Sequence, residues 1–196
     1  MAHPSYDATQ LKDLLLQMLE TELAGEQIYR KALAVVRNPD LKKEWQEYLA
    51  QTQNHYNVLR TLCEDLGIDA GGRSAGRDVA RHIGSALVQT IELAAGSATA
   101  QAAELTACEC VVHAETREHA NWELLGQVAA AASGEQAQLL KDAHARVEQD
   151  EEHHLSHSKS WCRELGLQGL GMPAVLPPRE EVRHAAAARQ QRRSML

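Results

Sequence analysis

Two segments of this 196-residue chain repeat each other at one fixed distance, and this repeat constrains the fold more than any other feature. The segments cover residues 41–67 and 140–166, and their numbers differ by 99. The identical pairs are Leu41 with Leu140, Lys42 with Lys141, His55 with His154, Cys63 with Cys162, Leu66 with Leu165 and Gly67 with Gly166. Self-similarity of this kind is typical of duplicated structural units. We therefore predict two related helical hairpins that pack about a pseudo-twofold axis.

The composition predicts helices throughout the chain. Phe is absent, β-branched residues are few, and Ala, Leu, Glu and Gln are abundant, which favours helix over strand. The apolar spacing predicts four long helices, at about 7–37, 41–66, 99–131 and 135–165. A Gly-rich break at residues 68–76 and an amphipathic helix at about 78–93 form a long crossover between the two hairpins. The prediction is an all-α four-helix bundle.

We divide the chain into a bundle at residues 1–166 and a C-terminal part at residues 167–196. One core is expected at this length. The C-terminal part begins with a loop rich in Pro and Gly, and residues 179–193 suit a short helix with glutamates at its start and arginines at its end.

The charge and the cysteines exclude several classes of function. A formal net charge of −7 argues against nucleic acid as a partner. The chain has no long apolar run and no signal-peptide pattern, so we expect a cytoplasmic protein that does not bind membranes. The cysteines show no C-x-x-C pair. We expect buried thiols without chemistry at Cys63, Cys108, Cys110 and Cys162.

Carboxylates and imidazoles recur on the helix faces that are predicted to point into the core. Glu22 lies on the apolar stripe of the first long helix, and Glu115 and Glu118 lie on that of the third. Glu151 and His154 are three residues apart, so they are neighbours on one face of the fourth helix. A buried carboxylate is costly unless it is paired or bound to a metal. We therefore predict a metal site inside the bundle.

The repeat adds His55 to these candidates. Alone, a histidine at the edge of a core face is more typical of a hydrogen-bonded boundary residue than of a ligand, but His55 matches His154. Thr52 stands where the second hairpin has Glu151. The first and third long helices share a spacing of seven residues between a glutamate and an aromatic residue, in the pairs Glu22–Tyr29 and Glu115–Trp122.

With these residues the chain resembles the ferritin-like superfamily, the di-iron and di-manganese carboxylate bundles that include rubrerythrin and bacterioferritin. Those bundles use one Glu from each of two helices and a Glu-x-x-His pair from each of the other two. The resemblance covers about residues 11–165 and rests on Glu22 with Tyr29, His55, Glu115, and Glu151-x-x-His154. It implies two bound iron ions, or manganese, that react with dioxygen or peroxide.

The resemblance also implies a role for each candidate ligand. Glu22 and Glu115 would be the carboxylates that two of the helices each contribute singly. Glu151 and His154 would be one complete Glu-x-x-His pair. His55 would be the histidine of the second pair. Thr52 departs from the pattern, which has Glu there, and Glu118 could replace the missing carboxylate as the extra one does in rubrerythrin-type sites. Other candidates are Glu148 first, then Glu26, His144, His153 and His157.

The function predicted in this way is that of a non-haem dimetal protein in iron handling or oxidative-stress defence, or of a small oxidase. We expect a homo-oligomer, a dimer or larger. One alternative is a metal-free bundle with vestigial ligands that works through dimerisation or a partner, and Thr52 favours it. Another is a small-molecule oxygenase, which needs a substrate cavity beside the site.

Overall fold

The computed structural model describes residues 6–179 and contains six helices in that range, without a strand. The helices are α1 (Ala8–Val35), α2 (Pro39–Asp65), α3 (Ala75–Ser97), α4 (Ala100–Ala131), α5 (Gly134–Ala145) and α6 (Glu148–Gly169). The all-helical class is thereby confirmed. No helix in this range is long and apolar enough to cross a bilayer. The short C-terminal helix predicted for residues 179–193 lies, apart from its first residue, outside the described part.

The ends of the helices follow local chemistry. Asp7 starts α1, because its carboxylate accepts hydrogen bonds from the backbone N–H groups of the first turn. Asn38 does the same for α2, and Pro39 occupies the first helical position, where its missing N–H costs nothing. After α2, Gly67 adopts a φ of 67°, the left-handed conformation that commonly ends a helix.

The central helices form two antiparallel pairs that pack together. α1 packs against α2, α3 and α4, α4 packs against α6, and α2 contacts α6. Contacts between helices show that α1 and α6 run in one direction and that α2 and α4 run in the other. α3 runs parallel to α1 and covers α1 and α4 from outside. It therefore carries the chain from the end of α2 back to the start of α4.

The predicted fourth helix is in fact two helices, α5 and α6, which meet at Arg146 and Val147. The N–H groups of these two residues bond to the carbonyls of Ala143 and His144 in a tight turn. Val147 is fully buried in the core, which holds the turn in place. One consequence is that Glu151 lies in the first turn of α6, where the positive end of the helix dipole favours carboxylates.

The buried face of α2 is wider than the stripe that its apolar spacing predicts, which runs through Trp45, Leu49, Tyr56, Leu59, Cys63 and Leu66. Leu49 and Tyr56, predicted to face inward, are only partly buried. Tyr48 and His55, one position earlier in each case, are buried instead. The reason is that α2 also packs on α5 and α6, so that its buried face is wider than a single stripe.

Two apolar clusters fill the bundle, one toward each end. The first apolar cluster contains, among others, Leu15, Leu59, Leu125, Leu140 and Val147. The second apolar cluster contains, among others, Ile28, Trp45, Val111, Trp161 and Leu165. Between them, α1, α2, α4 and α6 each contribute buried polar or charged residues. The candidate metal ligands therefore occupy one polar layer that apolar side chains close on both sides.

We predict that Gly84→Ala destabilises the protein by about 1–3 kcal/mol, because a buried side chain there overpacks the core. A Cβ on Gly84 of α3 would overlap the Ala24 methyl group of α1. The control is Gly96→Ala on the same helix, where no atom lies within 4 Å of the new methyl group. Urea denaturation measures both variants. Equal midpoints for the two would contradict the close approach of α3 and α1.

Candidate metal centre

The polar layer brings the predicted ligands together from four helices. One group of three consists of Glu22, His55 and Glu151, and a second consists of Glu115, Glu118 and Glu151. Within each group, one potential ligand atom per residue lies within 4.8 Å of the others. Glu151 belongs to both groups. The arrangement therefore has the form of two neighbouring cation sites that share one carboxylate.

The ligand groups are closed off from water. Glu22 and Glu118 are each 1% exposed, and Glu115 and Glu151 are 0% exposed. Both histidines, His55 and His154, are also 0% exposed. Anionic carboxylates at this depth need a positive partner, because leaving a buried charge unpaired costs several kcal/mol.

Aromatic donors fix one oxygen of each single carboxylate. The indole Nε1 of Trp122 donates to Glu22 Oε1 over 2.8 Å, and the Tyr29 hydroxyl donates to Glu115 Oε1 over 2.5 Å. These two bonds are related by the internal repeat, since each aromatic residue follows the glutamate of its own helix by seven residues and donates to the glutamate of the other helix. The second oxygens, Glu22 Oε2 and Glu115 Oε2, accept no hydrogen bond from the described residues.

The outer nitrogens of the two imidazoles are held by a second reciprocal pair. His55 Nε2 lies 3.3 Å from Asp150 Oδ2, and His154 Nε2 lies 2.9 Å from Gln51 Oε1. Gln51 Nε2 also donates to Asp150 Oδ1 over 3.1 Å, which links the two halves. Both partners offer acceptor oxygens, so a proton is assigned to each Nε2. Such outer contacts orient ligand histidines in metal sites.

The inner nitrogens face the carboxylates. His55 Nδ1 lies 2.8 Å from Glu151 Oε1, although the two groups are not aligned for a hydrogen bond. His154 Nδ1 lies 3.5 Å from Glu115 Oε2. Each Nδ1 is therefore the ring nitrogen that could bind a cation in the polar layer. His154 thus stands beside the second group of three without belonging to it.

Residue 52, three positions before His55, is a threonine and not a second glutamate, and the Glu118 side chain of α4 lies next to it. A Cβ on Gly25 would overlap Glu118 Oε1 and would lie 3.3 Å from Thr52 Cγ2. The absence of a side chain at Gly25 therefore leaves room for the Glu118 carboxylate next to Thr52. Neither Glu118 oxygen has a hydrogen-bond partner within residues 6–179.

The electrostatics of the layer are unfavourable without a cation. Burial raises the pKa of Glu22, Glu118 and Glu151 well above the usual value of 4.5, and the neighbouring carboxylates raise it further. With Glu115, the layer contains four glutamates, so that two divalent cations would balance the charge. The unbonded oxygens and the two Nδ1 atoms are hard and borderline donors of the kind that suits iron and manganese.

The other candidates of the sequence lie outside both groups. Glu26 is half-buried, pairs with Arg30 at 3.2 Å and accepts a hydrogen bond from Gln53 Nε2 of α2. Glu148 is 64% exposed at its side chain and lies 3.6 Å from His144. The His153 and His157 rings contact each other, with centroids 3.6 Å apart.

A cleft of about 810 Å³ lies beside this layer, and the buried Glu151 is among its lining residues. It lies between α4 and the junction of α5 and α6, and Glu151 and Trp122 line its inner end. Its outer polar residues are His119, Glu123, Lys141, His144, Glu148 and Glu152. The His144 ring fits against α4 because residue 126 is a glycine, since a Cβ at this position would lie 2.6 Å from His144 Nε2.

Sequence reasoning did not identify Gln51, Asp150 or Gly25 as parts of the site. A signal for the first two exists, since residues 51 and 150 correspond in the repeat and both lie four positions before a histidine. Gly25 lies on the predicted stripe of α1, but only the packed structure shows which side chain occupies its space.

The chain was compared with known proteins in three ways. A scan against protein-family models, a search of curated proteins and a search of solved structures each found no match.

We predict that Glu151→Gln stabilises the metal-free protein, and does so more as the pH rises from about 5 to about 8. A carboxyl with a raised pKa binds more protons in the folded chain than in the unfolded one, so its unfavourable contribution grows with pH above the usual carboxyl range. Urea denaturation in the presence of a chelator measures the difference between variant and wild type. The control is Glu152→Gln at an exposed neighbour. A difference for Glu151→Gln that does not change with pH would contradict the prediction.

Proposed function

We propose that this chain is a ferritin-like protein that binds two iron ions, or two manganese ions, and reacts with dioxygen or peroxide. The observation that carries the proposal is the pair of ligand groups that share Glu151. A carboxylate common to two sites is the feature that distinguishes a dimetal centre from two separate ion-binding sites. Glu22 and His55 would hold one ion, and Glu115 and Glu118 would hold the other, with His154 available to the second.

The chain satisfies the requirements of such a centre in charge and in donor type. Four carboxylates and two neutral imidazoles would form a neutral unit with two divalent cations, which reduces the cost of burial. Bound iron or manganese would supply one-electron exchange with the oxidant. The residues of the chain would bind the ions, keep their ligands in place and exclude bulk water.

Several contacts support the positioning of the ligands. Tyr29 and Trp122 each hold one glutamate oxygen and leave the other to the centre. Gln51 and Asp150 orient the imidazoles so that Nδ1 faces inward. These bonds would limit the reorganisation needed when an ion binds or leaves, because the outer bonds are already made.

The cleft supports access of an oxidant to the centre. Its inner end reaches Glu151, the shared carboxylate, whereas the two apolar clusters close the layer above and below. The helix directions, with α3 as the crossover, are compatible with the proposed superfamily. A role in iron handling or stress defence, a location in the cytoplasm and association into a homo-oligomer stay predictions.

We predict that the protein purified without chelators contains about two iron or manganese ions per chain. Glu151→Ala should lose more than half of this metal, because the substitution removes a ligand from both groups. The matched control is Glu152→Ala, the exposed neighbour on the same helix, which should keep the wild-type content. Inductively coupled plasma mass spectrometry measures the metal content. A metal-free wild type that is no more stable than Glu151→Ala would support the alternative of a vestigial site.

A further inference from the structure

Two cysteines, Cys108 and Cys162, lie close together in the fold, although their positions in the sequence differ by 54. Cys108 of α4 is fully buried, and Cys162 of α6 is partly buried. Cys162 packs against the second apolar cluster, to which Cys108 belongs. Cys108 Sγ also lies 3.7 Å from the carbonyl oxygen of Ser158, which is one helical turn before Cys162. The packing of α4 on α6 thus creates a dithiol that the sequence spacing conceals.

The other two cysteines have different surroundings. Cys63 corresponds to Cys162 in the repeat, but it lies in the first apolar cluster, where burial raises its pKa to about 11. Burial also raises the pKa of Cys110 to about 11. The dithiol therefore occurs in the second hairpin and not in the first. Cys63, the counterpart of Cys162, serves as the control thiol for measurements of reactivity.

We propose that Cys108 and Cys162 form a redox-active pair that a hydroperoxide oxidises to a disulfide linking α4 to α6. In the first step, the Cys162 thiolate attacks the terminal peroxide oxygen. The O–O bond breaks, Cys162 becomes a sulfenic acid, and the leaving alkoxide or hydroxide takes a proton. In the second step, Cys108 sulfur attacks Cys162 sulfur, the S–O bond breaks, and water leaves. Two thiols thereby give two electrons to one peroxide.

The surroundings divide the two roles between the thiols. The neighbouring Cys108 thiol lowers the pKa of Cys162, although partial burial opposes this shift. The Cys162 thiol, together with burial, raises the pKa of Cys108. The thiolate is the reactive form, and Cys162 is also the more exposed of the two. Cys162 is thus the thiol that attacks the peroxide. Cys108 is the thiol that then converts the Cys162 sulfenic acid to the disulfide.

The pair is separate from the candidate metal centre. Cys108 precedes Glu115 by seven residues and Cys162 follows His154 by eight, which places the thiols about 10–12 Å along the helices from these residues. The proposal therefore does not depend on metal binding. It would give the chain a peroxide-reducing group in addition to any metal chemistry.

The test treats the reduced full-length protein with one equivalent of hydrogen peroxide and then alkylates the remaining thiols under denaturing conditions. Peptide mass spectrometry should find a cross-linked peptide that contains Cys108 and Cys162, lighter by two hydrogen atoms. Cys162 should be oxidised about tenfold or more faster than Cys63, in line with a higher thiolate fraction. Cys108→Ser should leave Cys162 oxidised but unlinked within the chain.

Two further variants complete the test. Cys63→Ser should form the disulfide as the wild type does, and so should Glu151→Ala, because the pair acts without the metal. A Cys162 thiol that reacts no faster than Cys63 would overturn the proposal. So would a wild type in which oxidised Cys162 is found only without a link to Cys108. A disulfide that forms in the wild type but not in Glu151→Ala would overturn its independence from the metal centre.

Discussion

The burial of four glutamates in one layer of the bundle is the constraint on which the rest of the structure depends. Glu22, Glu115, Glu118 and Glu151 lie at 1% exposure or less between two apolar clusters. Water cannot compensate their charge at this depth, and Lys and Arg side chains do not contact them among the described residues. A purely structural role would leave their oxygens facing each other, with raised pKa values and unused acceptors. Bound cations would resolve this conflict.

The duplication explains how the layer is held. Each hairpin provides a histidine and, four residues earlier, a polar side chain that holds the histidine of the other hairpin. Each also provides an aromatic donor for the glutamate of the other. The two halves therefore orient each other's ligands. The symmetry fails at Thr52, where Gly25 leaves space for Glu118 from α4. Residue 52 thus lacks the carboxylate that its counterpart Glu151 carries, and Glu118 from α4 places a carboxylate beside it.

Much of this was predictable from the sequence, because the inward positions repeat with helical spacing. The set of Glu22, Glu115 and Glu151 and the match of His55 to His154 needed only spacing and register. The turn at Val147 and the wide buried face of α2 needed the packing of α5, which propensity does not report. The partnership of Cys108 with Cys162 depends on two helices meeting at one level. Sequence spacing carries no signal for such a contact.

The central claim is that one buried layer holds two metal ions that share Glu151. Crystals of the protein, grown without chelators, allow an anomalous difference map at the iron or manganese absorption edge. The account predicts two neighbouring peaks, both within bonding distance of the Glu151 carboxylate, one beside Glu22 and His55 and the other beside Glu115 and Glu118. A map without peaks in this layer, with Glu151 and Glu22 hydrogen-bonded to the imidazoles instead, would contradict it.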